Sequence, residues 1–544
     1  MLSERKRVVD ETVVDETAMG GAYDVVVVGG GAAGLGGALA LARARRSVLV
    51  VDAGRPRNAP AGHVHNYLTR EGTPPAELVA AGREEVTRYG GEIVSGDVET
   101  AVRDGDGFLV TLDGGRSVRA RRLLVATGLV DELPEVPGVA GRWGRDVLHC
   151  PYCHGWEVRD RRIGVLATGP LALHQAHLWR QWSPHVLLLL HESPAPDAEE
   201  AERLAARGIT VVDGPVAGLE VDGDALTGVR LASGEVVALD AVVVTPRFTP
   251  RAGLLESLGI KPVDLEVDGG VIGSQIPADA NGATSVPGVW VAGNVTDARA
   301  QVITSAAAGL TAAGAINADL VAEDIREAVE DYRHRVRTMF EQDAWEERYR
   351  ARPEIWSGRP NPQLVAEAAG LAPGRALDVG SGEGADAVWL AERGWRVTAA
   401  DISATALERA AARAERAGAQ VAGRIDWVHA DLRAEPPAEG AYDLVSSQFM
   451  HLPGEARREL FARLAAAVAP GGTLLIVGHH PSDLRTTARR MHFPDMMFTA
   501  EEVAASLDPA AWKVLAAEAR PRTAQDPEGC DVTIHDAVLV ARRR

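Results

Sequence analysis

The sequence predicts an α/β protein built from doubly wound, mainly parallel sheets, and three observations predict it. Strand-length apolar runs alternate with Ala/Leu-rich helical stretches, as in residues 23–28, the helix through Ala44, and residues 47–51. Two glycine-rich turns follow such runs: Gly29-Gly30-Gly31-Ala32-Ala33-Gly34, and Asp378-Val379-Gly380-Ser381-Gly382-Glu383-Gly384. In both cases a carboxylate ends the next strand, Asp52 and Asp401. Repeated strand–turn–helix units of this length form parallel sheets whose ligands bind at the strands' C-terminal ends.

The first unit is complete within residues 23–52, and a second strand–turn–helix–strand unit spans 163–191. Short strands and turns fill 211–244. The pattern then returns to residues 289–294 and a small-residue helix at 305–318. This order reads as one nucleotide domain, 21–125 and 245–320, interrupted by an inserted second nucleotide-type domain, 126–244. Residues 315–352 contain neither Gly nor Pro and carry Ile325, Val329, Tyr332 and Val336 at helical spacing, so 321–352 reads as a helical connector. A third domain, 353–544, repeats the alternation with strands at 375–379, 396–401, 425–429, 441–445, 472–477 and 535–541. Residues 1–20 contain a direct repeat, Val8-Val9-Asp10-Glu11-Thr12 and Val13-Val14-Asp15-Glu16-Thr17, and read as a disordered tail.

At 544 residues the chain is too long for one core. A net charge of −19 argues against nucleic acid or anionic membrane as a partner. No apolar run reaches membrane-span length. The first twenty residues are charged and lack the apolar centre of a signal peptide. Three cysteines, two of them in a C-x-x-C, fit a cytoplasmic redox protein.

In Gly29-x-Gly31-x-x-Gly34 one glycine makes the tight turn, one admits a pyrophosphate to the backbone, and one lets helix and strand pack closely. The helix N-terminus then favours the phosphates, and Asp52 can accept from ribose hydroxyls. Cys150-Pro151-Tyr152-Cys153-His154-Gly155 places two thiols within disulfide reach at a helix start, where N–H groups favour a thiolate. Such a thiolate attacks disulfides or reduces a flavin. A zinc half-site would need two more ligands, and Cys530 stands alone, so no metal is expected. His154 can act as general base near neutral pH; a surface or hydrogen-bonded histidine is the plain alternative.

Taken in order, Val28 to Gly34, Ala126-Thr127-Gly128, the C-x-x-C, and Gly293-Asn294 with Gln301 resemble the low-molecular-weight thioredoxin reductase family over residues 22 to about 320. The resemblance implies FAD at the first site, with Gly293 and Asn294 near its pyrophosphate and ribityl chain and Gln301 near the ring. It also implies a homodimer. Two positions depart from the family: Asn294 replaces its usual Asp, and Ala300 its usual Arg. The Cys-x-x-Cys-His-Gly form resembles the gliotoxin- and holomycin-type dithiol oxidases, which oxidise a small dithiol and pass electrons through FAD to oxygen.

The second unit should hold NADPH in a reductase. It reads Ala167-x-Gly169-x-x-Ala172, without the first glycine. Glu192 follows the next strand, where a 2′-phosphate would need basic residues. NADPH is therefore disfavoured, and NADH is left open.

Asp378, Gly380, Gly382 and Gly384, then Asp401 and Asp431, resemble the class I S-adenosylmethionine-dependent methyltransferases over residues 340–544. The turn at Pro470-Gly471-Gly472 agrees. By resemblance Asp401 holds the ribose, and Asp431 with Leu432 borders the adenine. The segments 345–349 and 356–362 resemble the lid of methyltransferases acting on small soft nucleophiles. His451, His479 and His480 are candidates near the acceptor, a packing role for each being an equal alternative.

The fold class expected is thus α/β: an FAD-binding Rossmann-like domain with an inserted second nucleotide-type domain, followed by a class I methyltransferase Rossmann-like domain. The function expected is bifunctional. A thiol–disulfide oxidoreductase uses Cys150 towards substrate, Cys153 towards flavin and His154 as base. A methyltransferase acts on a small acceptor, a thiol being the hypothesis. The alternatives are an NAD(P)H-dependent disulfide reductase fused to an unrelated methyltransferase, and a flavin redox sensor that gates the methyltransferase.

Overall fold

The computed structural model describes residues 21–267, 269–450, 452–488 and 493–544. The repeated N-terminal segment and His451 lie outside them. The chain divides into two compact units, Met1–Ile325 and Arg326–Arg544. The helix Val302–Thr338 runs past this division as one element, and Gln342–Ala351 forms a separate helix.

In the first unit, Ala22–Val28 pairs in parallel with Val48–Asp52 on one side and Ser117–Val125 on the other. Glu92–Ser95 and Val289–Val291 extend this parallel set. Val98–Asp104 and Gly107–Leu112 add an antiparallel meander. Val25 to Val27 and Leu49 to Val50 are fully buried, because helices cover one face and the meander the other. A second parallel sheet runs in the order Thr210–Val212, Val186–Leu189, Ile163–Leu166, Ala241–Val243, Val147–Leu148. Its core centres on Trp179 and Ile163. A small four-stranded sheet joins Leu129–Glu132, Arg247–Pro250, Gly270–Gln275 and Val263–Val267.

In the second unit the strand order is Ile425–His429, Arg396–Asp401, Arg375–Val379, Tyr442–Gln448, Val468–His479, Asp531–Arg543, Trp512–Gln525. The first five are parallel and the last two antiparallel. The order reverses between Arg375–Val379 and Tyr442–Gln448, so the crevice beyond Asp378 is where this architecture binds ligands.

Candidate active sites

The first glycine turn is shaped by what surrounds it. Gly29 has φ +107°, and a β-carbon there would lie 2.5 Å from the Ala126 carbonyl oxygen. A β-carbon on Gly34 would lie 1.8 Å from the Gly29 carbonyl oxygen, which only close helix–strand packing requires. Gly31 caps the helix Ala32–Arg43 and faces open space, leaving its backbone free for a ligand. Asp52 accepts from the N–H groups of Gly30 and Gly54, each at 3.2 Å, and pairs with Arg83 at 2.9 Å. Across the turn, Gly293 has φ +76° and meets Ala33. The Asn294 amide donates to two carbonyls, Asp297 at 3.0 Å and Ala300 at 2.9 Å. A carboxylate could donate to neither, so both hydrogen bonds require the amide at this position. The Gln301 carbonyl accepts from Ser305 N–H at 2.8 Å, beginning the long helix.

A cavity of about 1560 Å³ opens over this turn. Gly29, Gly31, Asp52, Cys150, Cys153, His154, Gly293, Asn294 and Gln301 all line it, while Gly34 packs behind it. A flexible dinucleotide with a ring near the dithiol fits such a space: the backbone is bare at Gly31, and the two thiols share the wall.

Cys150 precedes a single helical turn, Pro151–His154. The N–H groups of Cys153 and His154 donate to the Cys150 carbonyl at 3.2 and 3.1 Å. One turn carries little macrodipole, so individual donors act on the sulfur rather than a whole helix. The Cys150 thiol is pulled down to about 7, first by the hydrogen bond from the Cys153 thiol, then against burial by the N–H groups of Cys153 and Tyr152 and the charge of Arg57. Cys153, the donor, is pushed up. Arg57 is held by Asp131 at 2.8 and 2.6 Å and lies 5.6 Å from the Phe248 ring centre. Burial lowers the imidazole of His154, opposed by Glu157 and aided by His65. His149 is also lowered by burial, and its Nδ1 lies 3.1 Å from the Val244 carbonyl oxygen. Arg57 and His149 were missed in the sequence. Nothing local marks Arg57, whereas His149 sits beside Cys150 and could have been weighed.

The second nucleotide-type turn packs its side chains against the neighbouring hairpin and stays open at Gly169. Pro170 abuts Gly270, and Leu171 packs with Phe248, Ile272 and Ala298. Thr168 Oγ1 is buried without a partner.

In the second unit Gly380, Gly382 and Gly384 all have positive φ, +67°, +52° and +79°. Asp378 is 2% exposed, and its Oδ2 has no partner. Burial raises its carboxyl well above the ordinary range, with Asp386 and Asp401 adding repulsion. Burial also raises Asp386, to about 6, and Asp401. Asp401 accepts from Gly382 N–H at 2.8 Å and Ser403 N–H at 2.9 Å. Three buried carboxyls, one of them with an orphaned oxygen, suit a cationic ligand, and S-adenosylmethionine carries a sulfonium. Asp431 is turned to Arg433 at 2.7 Å, and Leu432 packs against the adjoining core. Over Gly382 lie Tyr349 and Trp356, the Trp356 Nε1 donating to Tyr349 Oη at 3.0 Å. Glu383 pins this strap: it accepts from the N–H groups of Ile355 and Trp356 at 3.3 Å and pairs with Arg409 at 3.1 Å. His479 ends its strand with its ring 4.8 Å from that of Phe449, which has φ +54°. His480 Nδ1 lies 2.9 Å from Ser482 Oγ.

These two sites define a flavin-type disulfide oxidoreductase joined to a methyltransferase, and comparison with known proteins agrees. Residues 23–310 match the family described as pyridine nucleotide-disulphide oxidoreductase, and residues 376–472 match a methyltransferase domain. The chain belongs to the pyridine nucleotide-disulphide oxidoreductase family and carries a methyltransferase domain, so both parts are enzymatic. It is 35% identical to thioredoxin reductase tcpT of Claviceps purpurea over 44% of this chain and 78% of that one. It is 29% identical to thioredoxin reductase sirT of Leptosphaeria maculans, over 56% of this chain and 96% of that one. The crystal structure of HlmI is 48% identical, with a TM-score of 0.54, and covers 58% of this chain and 98% of its own. The families imply a flavin and S-adenosylmethionine as cofactors. No helix among the described residues is long and apolar enough to cross a membrane.

Proposed function

We propose that the first unit oxidises a small-molecule dithiol to its disulfide, with FAD as cofactor and oxygen as acceptor, and that the second S-methylates a small thiol. The oxidase reading is carried by one observation: the second nucleotide-type turn, Ala167-x-Gly169-x-x-Ala172, lacks the first glycine of a dinucleotide fingerprint and is followed after the next strand by Glu192 rather than by basic residues. Gly29, Gly31, Asp52, Gly293, Asn294 and Gln301 would hold FAD. When bound, it would supply a two-electron carrier between the reduced cysteine pair and oxygen, the two electrons and two protons leaving as hydrogen peroxide.

The chain's own groups perform the thiol chemistry. Neutral His154 takes the proton of the first substrate thiol. The resulting thiolate attacks Cys150 in the oxidised pair, the Cys150–Cys153 bond breaks, and Cys153 leaves with the proton from His154. His154, neutral again, takes the proton of the second substrate thiol, and the resulting thiolate attacks the substrate sulfur bound to Cys150. Cys150 leaves, and its low proton affinity makes it a good leaving group. Two electrons have passed from substrate to the cysteine pair.

In the second unit Asp378, Gly380, Gly382, Gly384 and Asp401 would hold S-adenosylmethionine, with Asp431 and Leu432 at the adenine end. That group supplies an electrophilic methyl. A thiolate acceptor needs positioning more than a strong base, and His479 stands at the strand end where an acceptor would arrive. The link between the halves is that both chemistries act on sulfur.

Anaerobic flavin absorbance tests the first reading. Bleaching by a small dithiol but not by NADPH or NADH, with recovery and peroxide on admitting air, is expected; rapid bleaching by either nucleotide overturns it. Methyl transfer to amines or hydroxyls but to no thiol would sink the second. The unpartnered Thr168 hydroxyl is the feature that favours a nucleotide-driven reductase instead.

A further inference from the structure

Residues 63–71 reach the dithiol from a distant part of the chain. The strap they belong to is closed at its base: Val64 N–H donates to the Thr73 carbonyl at 2.8 Å, Gly72 N–H donates to the Val64 carbonyl at 2.9 Å, and the Val64 side chain is buried. At its tip Asn66 adopts φ +61°, a conformation asparagine tolerates. Glu71 holds that tip from below, accepting from Asn66 N–H at 2.8 Å while its other oxygen lies 2.6 Å from His65 Nδ1. The Asn66 amide is left pointing outward, and it donates to the Tyr152 carbonyl at 2.7 Å.

We propose that Asn66 is a positioning residue of the dithiol, acting on Cys150 through the Tyr152–Cys153 peptide. A trans peptide unit directs its C=O and N–H to opposite sides. With the Tyr152 carbonyl turned to Asn66, the Cys153 N–H faces Cys150, whose carbonyl accepts it at 3.2 Å and whose sulfur it also serves. Releasing the carbonyl lets the peptide rotate and takes a donor from the thiolate. The other groups around Cys150 stay in place: the Cys153 thiol, Arg57 with Asp131, and the adjacent His149 and His154. The inference rests on the reading of Cys150 and Cys153 as the redox pair, but not on what oxidises them.

The test is the pH dependence of iodoacetamide alkylation of the reduced, flavin-loaded full chain, in a Cys530→Ser background so that the exposed third thiol is silent. Asn66→Gly removes the donor while tolerating positive φ. Asn66→Asp keeps the shape and replaces the donor by an acceptor. Glu71→Ala, at an exposed position, only loosens the tip. The alkylation midpoint, near pH 7 in the parent, is expected to rise by about half a unit or more in both Asn66 variants, as the loss of one net hydrogen bond implies. Glu71→Ala should move it in the same direction by less, and flavin absorbance and melting temperature should match the parent in all three. Unmoved midpoints in variants that keep flavin and melting temperature overturn the proposal. Should both Asn66 variants lose the flavin, an unmoved midpoint in Glu71→Ala overturns it alone. A reduced parent that forms no Cys150–Cys153 disulfide on reoxidation refutes the dithiol reading itself.

Discussion

A β-carbon on Gly270 would lie 2.4 Å from the ring of Pro170. The hairpin of Val263–Val267 and Gly270–Gln275 thus sits flush on the turn that opens the second nucleotide-type helix. Gly270→Ala forces that contact apart and is expected to destabilise the protein by about 1–3 kcal/mol. Denaturant midpoints measure it, and unchanged midpoints would mean the two segments do not meet.

The two thiols share one proton unequally. Cys150 is held near 7 mainly by the Cys153 S–H, so Cys153→Ala removes its largest support. The Cys150 midpoint should climb toward an ordinary thiol, about 8.5, and alkylation at pH 7 should slow about tenfold. Alkylation rates between pH 6 and 9 decide it, and an unshifted midpoint would put the control elsewhere.

Asn294→Asp converts two N–H donations into a carboxylate facing two carbonyl oxygens. The loop after Gly293 must then move or take up a proton. Flavin occupancy after purification is expected to fall and to recover partly at low pH, as 450 nm absorbance per chain reports. Full occupancy at pH 8 would show that the loop does not depend on the amide.

Asp378 carries its cost at neutral and alkaline pH. Its folded carboxyl is raised by burial, so the fold binds a proton that the unfolded chain releases. Its stabilising contribution is therefore complete in acid and is lost as pH rises beyond the ordinary carboxylate range. Asp378→Asn keeps the shape without that titration. Without S-adenosylmethionine, the melting temperature of the variant's second unit should gain on wild type between pH 5 and pH 8. Parallel curves would refute the buried-acid description.

Features set by local backbone demands were legible along the chain. Gly29, Gly34, Gly380, Gly382 and Gly384 sit where a side chain would clash or where φ is positive, and the motif spacing announces this. The parallel strands Ala22–Val28, Val48–Asp52 and Arg375–Val379 were legible because each is an apolar run largely buried between two layers, whereas the short, half-exposed edge strand Glu92–Ser95 was not. The strand Trp512–Gln525 was not legible either. It is the outermost strand of its sheet, its residues are largely exposed, and its charged sequence carries no alternation to read.

The sequence by itself determined that this chain folds as repeated nucleotide-type units and that one of them carries a dithiol. It could do so because glycine turns, buried strands and a C-x-x-C are contiguous patterns. Only the tertiary structure decided which groups surround that dithiol. Arg57 and Asn66 lie more than eighty residues before Cys150 and reach the dithiol across the fold, Arg57 by its charge and Asn66 by a hydrogen bond. Asp386 and Asp401 raise the proton affinity of Asp378 only once folding has buried all three carboxyls together. Charge and hydrogen bonding act through space, so their effects exist only once the chain has brought distant residues together.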